Sequence, residues 1–229
     1  TTTGSTELAA GNNVELDGSI DAGTYVIVAA QENLTVGPIS ADANSPLGQA
    51  IKLGAGGNVT VDGALSTDPG TAGLNIAIDP VDVDINSTIT ATGDVDITAS
   101  NNIDISATVT ADSDQDDAGT VTLTADDDNT AGGNLISTST VRGENLVITA
   151  ANVDGGIYQA DYADNGTDGD LFMNTSGTIG LNNNIAITDS YAEGFEAGLG
   201  PWEPVIDEEL QWEWTTGTRD GVSAHSGEA

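Results

Sequence analysis

The chain of 229 residues has no cysteine, and only three basic residues, Lys52, Arg142 and Arg219, stand against 37 acidic ones. Without cysteine there are no disulfides and no thiolate metal sites. A formal net charge of −34 excludes nucleic acid as a partner, because binding phosphates needs Lys and Arg. Anionic membrane surfaces are disfavoured for the same reason. Aromatic residues make up 4% of the chain, so a core has to be built from Val, Ile, Leu and Ala. No apolar run approaches the ~18 residues of a membrane span, and no membrane insertion is expected. The opening TTTGSTELAAGNN has neither the basic region nor the apolar segment of a signal peptide and is expected to be an interior piece of a longer or processed chain. A single histidine, His225, is too few for a histidine metal site, and no glycine loop fits phosphate binding.

What is present is repetition. No segment carries a sustained 3.6-residue apolar period, so helices should be scarce. Val95–Ala111 reads VDITASNNIDISATVTA: apolar and polar residues alternate, pause at SNN, and alternate again. The same cassette aligns Val26/Val28, Ile51/Leu53, Ile76/Ile78, Val95/Ile97, Val121/Leu123, Leu146/Ile148 and Leu171/Met173, at intervals of 19 to 26 residues. A second column comprises Asn13, Asn33, Asn58, Asp82, Asn102, Asn134, Asn152 and Asn184, each followed by an apolar residue, from Val14 to Ile185. Two places further on, Leu16, Val36, Val61, Ile85, Ile105 and Ile187 continue the pattern, which Ser137 and Gly155 interrupt. Ile20, Ile39, Leu65, Ile89, Val109, Val141 and Ile157 are expected to close the coils.

A period of this size signals stacked supersecondary units. Three short strands per coil predict an all-β, right-handed parallel β-helix of about eight coils over residues 1–190, with Val and Ile inside and Asn at a corner, where it tolerates left-handed backbone. A β-sandwich would not explain the repeating column, and the hexapeptide rhythm of left-handed solenoids is missing. Segments such as GDVDITASNNIDISATVTA and GTVTLTADDDNTAGGNLISTSTV resemble the repeats of filamentous-haemagglutinin-type exoproteins and giant adhesins, across roughly residues 5–190. The resemblance implies a secreted, right-handed β-helix serving as a stalk or adhesive rod.

Residues 191–229 differ in composition and hold all three tryptophans, Trp202, Trp212 and Trp214. Phe195-Glu196, Gly198-Leu199, Trp202, the acidic run to Trp212 and Trp214, and Gly217 and Gly221 resemble the opening of a MAM-like jelly-roll domain, here an incomplete β-sandwich segment. That likeness implies an extracellular adhesion or carbohydrate-associated module.

Two carboxylate clusters are candidate calcium ligands: Asp112, Asp114, Asp116 and Asp117, and Asp161, Asp164, Asp168 and Asp170. Ca²⁺ takes six to eight oxygens, which closely spaced aspartates with Gly can supply, although solvated acidic loops have the same composition. Arg142 is expected at the same corner, between the two loops, as a counter-ion. Catalytic residues are not expected. Lyase chemistry needs a base with neutralising cations, and the three basic residues lie in different regions; glycoside hydrolysis needs only two carboxylates about 5–9.5 Å apart, which so acidic a chain leaves open. An outward row including Thr98, Thr124 and Thr149 raises ice binding as a minor alternative. The expected function is a non-enzymatic structural or adhesive stalk of a large secreted cell-surface protein in an extracellular filament or biofilm matrix. Its expected partners are an extracellular or cell-surface polysaccharide or a protein receptor, with self-association possible on such a repeat; a polysaccharide-binding or polysaccharide-degrading β-helix is the alternative.

Overall fold

The structure is a computed structural model and describes residues 4–113, 119–126, 132–160, 169–181, 185–187, 202–205 and 211–214. The chain divides into two units, Thr1–Ile187 and Thr188–Ala229. Among the described residues the first unit is built only of strands, and every strand pairing in it is parallel. It is a parallel β-helix.

One face is an eight-stranded sheet whose order follows the chain: Thr6–Ala10, Val26–Ala30, Ile51–Ala55, Ile76–Asp79, Val95–Ala99, Thr120–Ala125, Asn145–Ala150 and Leu171–Thr175. Each strand lies over its counterpart with the cassette in register, so that Val28 pairs with Leu53, Leu53 with Ile78, Ile78 with Ile97 and Ile97 with Leu123. The second and third faces begin as separate short strands. Val14–Leu16 through Ile103–Ile105 form the second, and Ile20–Ala22 through Val109–Thr110 form the third. Asn134–Arg142 and Asn152–Ala160 are single long strands that turn from the second face onto the third, which joins both faces into one sheet.

Two-residue alternation explains the core. Inward positions on all three faces carry Val, Ile or Leu, and nearly all are fully buried, Val59, Ile103, Leu135 and Ile148 among them. Each such side chain contributes about 1.5–3 kcal/mol when taken out of water. Val14 is only half-buried, because the first coil has a neighbour on one side only among the described residues. At a strand spacing of about 4.8 Å, eight coils make a stack of about 38 Å.

Three expectations are corrected. The residue closing the seventh coil is Tyr158, not Ile157: Tyr158 pairs with Val141 and is fully buried, whereas Ile157 faces solvent. The register slips between Ser137 and Thr140, and Gly155 and Gly156 adopt φ values of 75° and 84°, which a side chain rarely tolerates. The small residues Ser137 and Gly155 stack on one another, and the fully buried Tyr158 ring lies against Gly156, next in the chain. A Cβ on Gly156 would stand 2.9 Å from that ring. Second, Ile185–Ile187 lies on the third face, over Tyr158–Ala160, rather than continuing the second. Third, the position over Asn152 is taken by Thr178, and Asn184 lies outside the described residues.

In the second unit, Trp202–Val205 and Gln211–Trp214 pair antiparallel, with Trp202 opposite Trp214 and Pro204 opposite Trp212.

The Tyr158 hydroxyl is buried without a hydrogen-bond partner, and burial together with Asp154 raises its pKa, so the phenol stays neutral. An unsatisfied buried polar group costs about 1–3 kcal/mol. Tyr158→Phe is therefore expected to hold or raise stability in urea unfolding, whereas Tyr158→Ala, which empties the interior, should lower it by about 3–5 kcal/mol.

Candidate functional site

The corners carry the polar chemistry. Where each coil enters the second face, the Asn33 backbone N–H and Nδ2 both donate to Asn13 Oδ1, at 3.0 and 3.1 Å. The Asn58 N–H donates to Asn33 Oδ1 at 2.9 Å. Asn134 repeats the double contact on Asn102 Oδ1, Asn152 Nδ2 donates to Asn134 Oδ1 at 2.8 Å, and Thr178 ends the series on Asn152 Oδ1. Asp82 stands in this ladder as an acceptor only: its Oδ1 receives the Asn102 N–H and Nδ2, both at 3.0 Å, and Asn101 Nδ2 at 2.8 Å. The asparagines are thus corner supports.

A second ladder guards the entry to the first face. Asn75 N–H donates to Asn44 Oδ1, Asp94 N–H to Asn75 Oδ1 at 2.7 Å, Thr120 N–H to Asp94 Oδ1, and Asp170 N–H to Asn145 Oδ1. The sequence signal for it is a short polar residue just before or at the start of the last five first-face strands: Asn75, Asp94, Thr120, Asn145 and Asp170.

Of the eight candidate calcium ligands, the structure describes two. Asp112 is fully buried with φ at 53°, and its N–H donates to the Gly93 carbonyl at 3.1 Å. Asp170 is exposed. Asp114, Asp116, Asp117, Asp161, Asp164 and Asp168 lie outside the described residues. Among the described residues, no three His, Cys, Asp or Glu side chains come together in a metal-binding group. Arg142 sits on the third face opposite Thr110, and its Nε donates to Thr110 Oγ1 at 3.0 Å. The carbonyl of Arg142 accepts the N–H of Ala111, beside Asp112, and Glu144 is buried two residues on. Lys52 is on the first face, paired with Ile27 and Ala77, so it and Arg142 do not share a surface. Arg219 and His225 lie outside the described residues.

Among the described residues, the second face holds two adjoining concavities. Two shallow depressions of about 430 and 490 Å³ share Asn134 and Ile136 and follow the asparagine ladder. Asp82, Asp84 and Asp104 line the first and Asp154 the second. Asp84 and Asp104 are direct register neighbours on adjacent strands. Partial burial, followed by repulsion from Asp104, Asp82 and Asp62, raises the Asp84 pKa above the usual aspartate value. Two facing carboxylates are the minimum for glycoside hydrolysis, and here they lie on an open, shallow surface.

Comparison with protein-family models, with curated proteins and with solved structures finds no match to this chain.

A carboxyl whose pKa is raised by folding is disfavoured in its charged form, so ionised Asp84 works against the fold at neutral pH. The cost is lost as pH falls through the folded pKa. Asp84→Asn is therefore expected to raise the Tm at pH 7 in low salt, modestly because the group is largely solvated. The gain should shrink in high salt and vanish at acid pH, as thermal scans across pH will show.

Proposed function

We propose that this chain is a non-enzymatic stalk segment, structural or adhesive, of a large secreted cell-surface protein. The observation that supports it is the continuous stacking of eight coils on the first face with their columns in register, a construction that gives a regular, mainly polar surface. The likeness of the repeats to filamentous-haemagglutinin-type exoproteins, and of the tail to a MAM-like module, points the same way. The stalk meets an extracellular polysaccharide or a protein receptor, and the heavy negative charge suits saline or calcium-containing surroundings.

One observation favours a second function: Asp84 and Asp104, side by side in register, line one depression and supply the two carboxylates that a polysaccharide-degrading site needs. The two functions separate in one assay. Incubation with neutral and acidic polysaccharides should release no reducing or unsaturated sugar ends. Release that Asp84→Asn or Asp104→Asn abolishes would replace the stalk with an enzyme.

Calcium is part of the proposal. Ca²⁺ bound by the two aspartate clusters would offset part of the −34 charge and stabilise the folded state by mass action, about 2.7 kcal/mol at 100 times its Kd. Millimolar CaCl₂ should raise the Tm beyond NaCl of equal ionic strength, and Asp114→Asn or Asp168→Asn should reduce the difference. An equal rise in both salts would mean screening alone.

A further inference from the structure

The outward surface of the first face changes character along the stack. In coils one to five its outward positions include the charged residues Glu7, Lys52, Asp79 and Asp96. In coils six to eight the outward strand positions are Thr120, Thr122 and Thr124, Asn145, Val147 and Thr149, and Phe172 and Asn174, all uncharged, with the exposed Asp170 just ahead of the last strand, in a chain of net charge −34. Phe172 is 58% exposed on the outward side of the sheet's last strand, and Val147 lies beside it in register. An exposed aromatic ring offers a large apolar contact face. The neighbouring row, Thr124, Thr149 and Asn174, presents two hydroxyls and an amide at successive coils. In coil five the equivalent hydroxyl, Thr98 Oγ1, is already committed to Asp96 Oδ1 at 2.9 Å.

From this we infer that the first face over coils six to eight docks a neutral, linear polysaccharide lying along the stack. The apolar face of one pyranose packs on Phe172 and Val147. The Thr124, Thr149 and Asn174 side chains exchange hydrogen bonds with successive sugar hydroxyls. The spacing suits this partner, since one pyranose of an extended glycan advances by close to one coil rise of about 4.8 Å. Charge selects it too: an acidic glycan is repelled by the rest of the surface, whereas a cationic one finds its counter-charges on other faces. The inference rests on the adhesive function proposed above and names the chemistry of its partner.

The test is calorimetric titration of the whole chain with cellohexaose, maltohexaose, laminarihexaose and mannohexaose, with an oligoguluronate hexamer as the acidic control. At least one neutral hexaose should bind and the acidic one should not. Phe172→Ala should weaken binding tenfold or more at unchanged Tm, Phe172→Trp should retain it, and Thr149→Asp should weaken it. Leu47→Ala, which removes an exposed apolar side chain far from this strip in sequence and outside the depressions, should leave it unaltered. Failure of every neutral hexaose, or equal binding by Phe172→Ala, overturns the inference. So does thermal hysteresis in freezing assays abolished by Thr149→Asp, which would assign the face to ice. If no hexaose binds and no sugar ends are released, the glycan surface falls and the stalk stands; released sugar ends would defeat the stalk itself.

Discussion

A strand of three residues, such as Val59–Val61 or Ile103–Ile105, has too few side chains to bury anything on its own. Every coil therefore depends on main-chain hydrogen bonding to the coil before and the coil after, and this pairing brings the Val, Ile and Leu columns into contact. The corners follow from the same constraint. At the corners that carry the two ladders, a side-chain oxygen from the previous coil takes up an N–H that would otherwise be orphaned, as Asn102 Oδ1 does for Asn134. Asparagine combines that acceptor with an amide donor and tolerance of turn geometry, which explains its recurrence.

The same stacking sets the electrostatics. Whatever faces outward at one coil has its counterpart about 4.8 Å away at the next, so repetition of an acidic residue builds a line of like charge. Asp84 beside Asp104 is the clearest case, and the raised Asp84 pKa is its local signature. Uncharged stretches such as Thr122 to Asn174 on the first face stand out against this background, and they are where a neutral polymer meets least opposition.

Much of the fold is legible in the sequence because a solenoid repeats its pattern in the open. Columns of Val, Ile and Asn at matching intervals give strands, register and corners together, and the inward residues of coils two to six follow from simple alternation. What escapes alternation is compensation between coils. The loss of apolar residues at Ser137 and Gly155 looks like a defect in one column, and only the packed interior reveals Tyr158 buried in another, against Gly156. Coil eight is similarly opaque, since Thr178 replaces asparagine in its ladder role and Ile185 moves to the third face. The candidate site was less legible. Sequence singles out clustered aspartates in loops, whereas Asp84 and Asp104 are twenty residues apart and meet only through stacking. Phe172 carries no motif, and its exposure is visible only once its neighbours are placed.

The central claim is the register, and the absence of native cysteine makes it directly measurable. Thr35 and Thr60 are outward register partners on adjacent coils, and Asp84 is the next residue in the same row. Disulfides form when Cα atoms lie roughly 4.4–6.8 Å apart. Mild oxidation of the Thr35→Cys/Thr60→Cys double variant should close an intramolecular disulfide rapidly and almost completely, seen by mass spectrometry. Thr35→Cys/Asp84→Cys, two coil spacings apart, should remain reduced. Equal crosslinking of both pairs, or preferential crosslinking of the distant one, would contradict the stacked register and the account built on it.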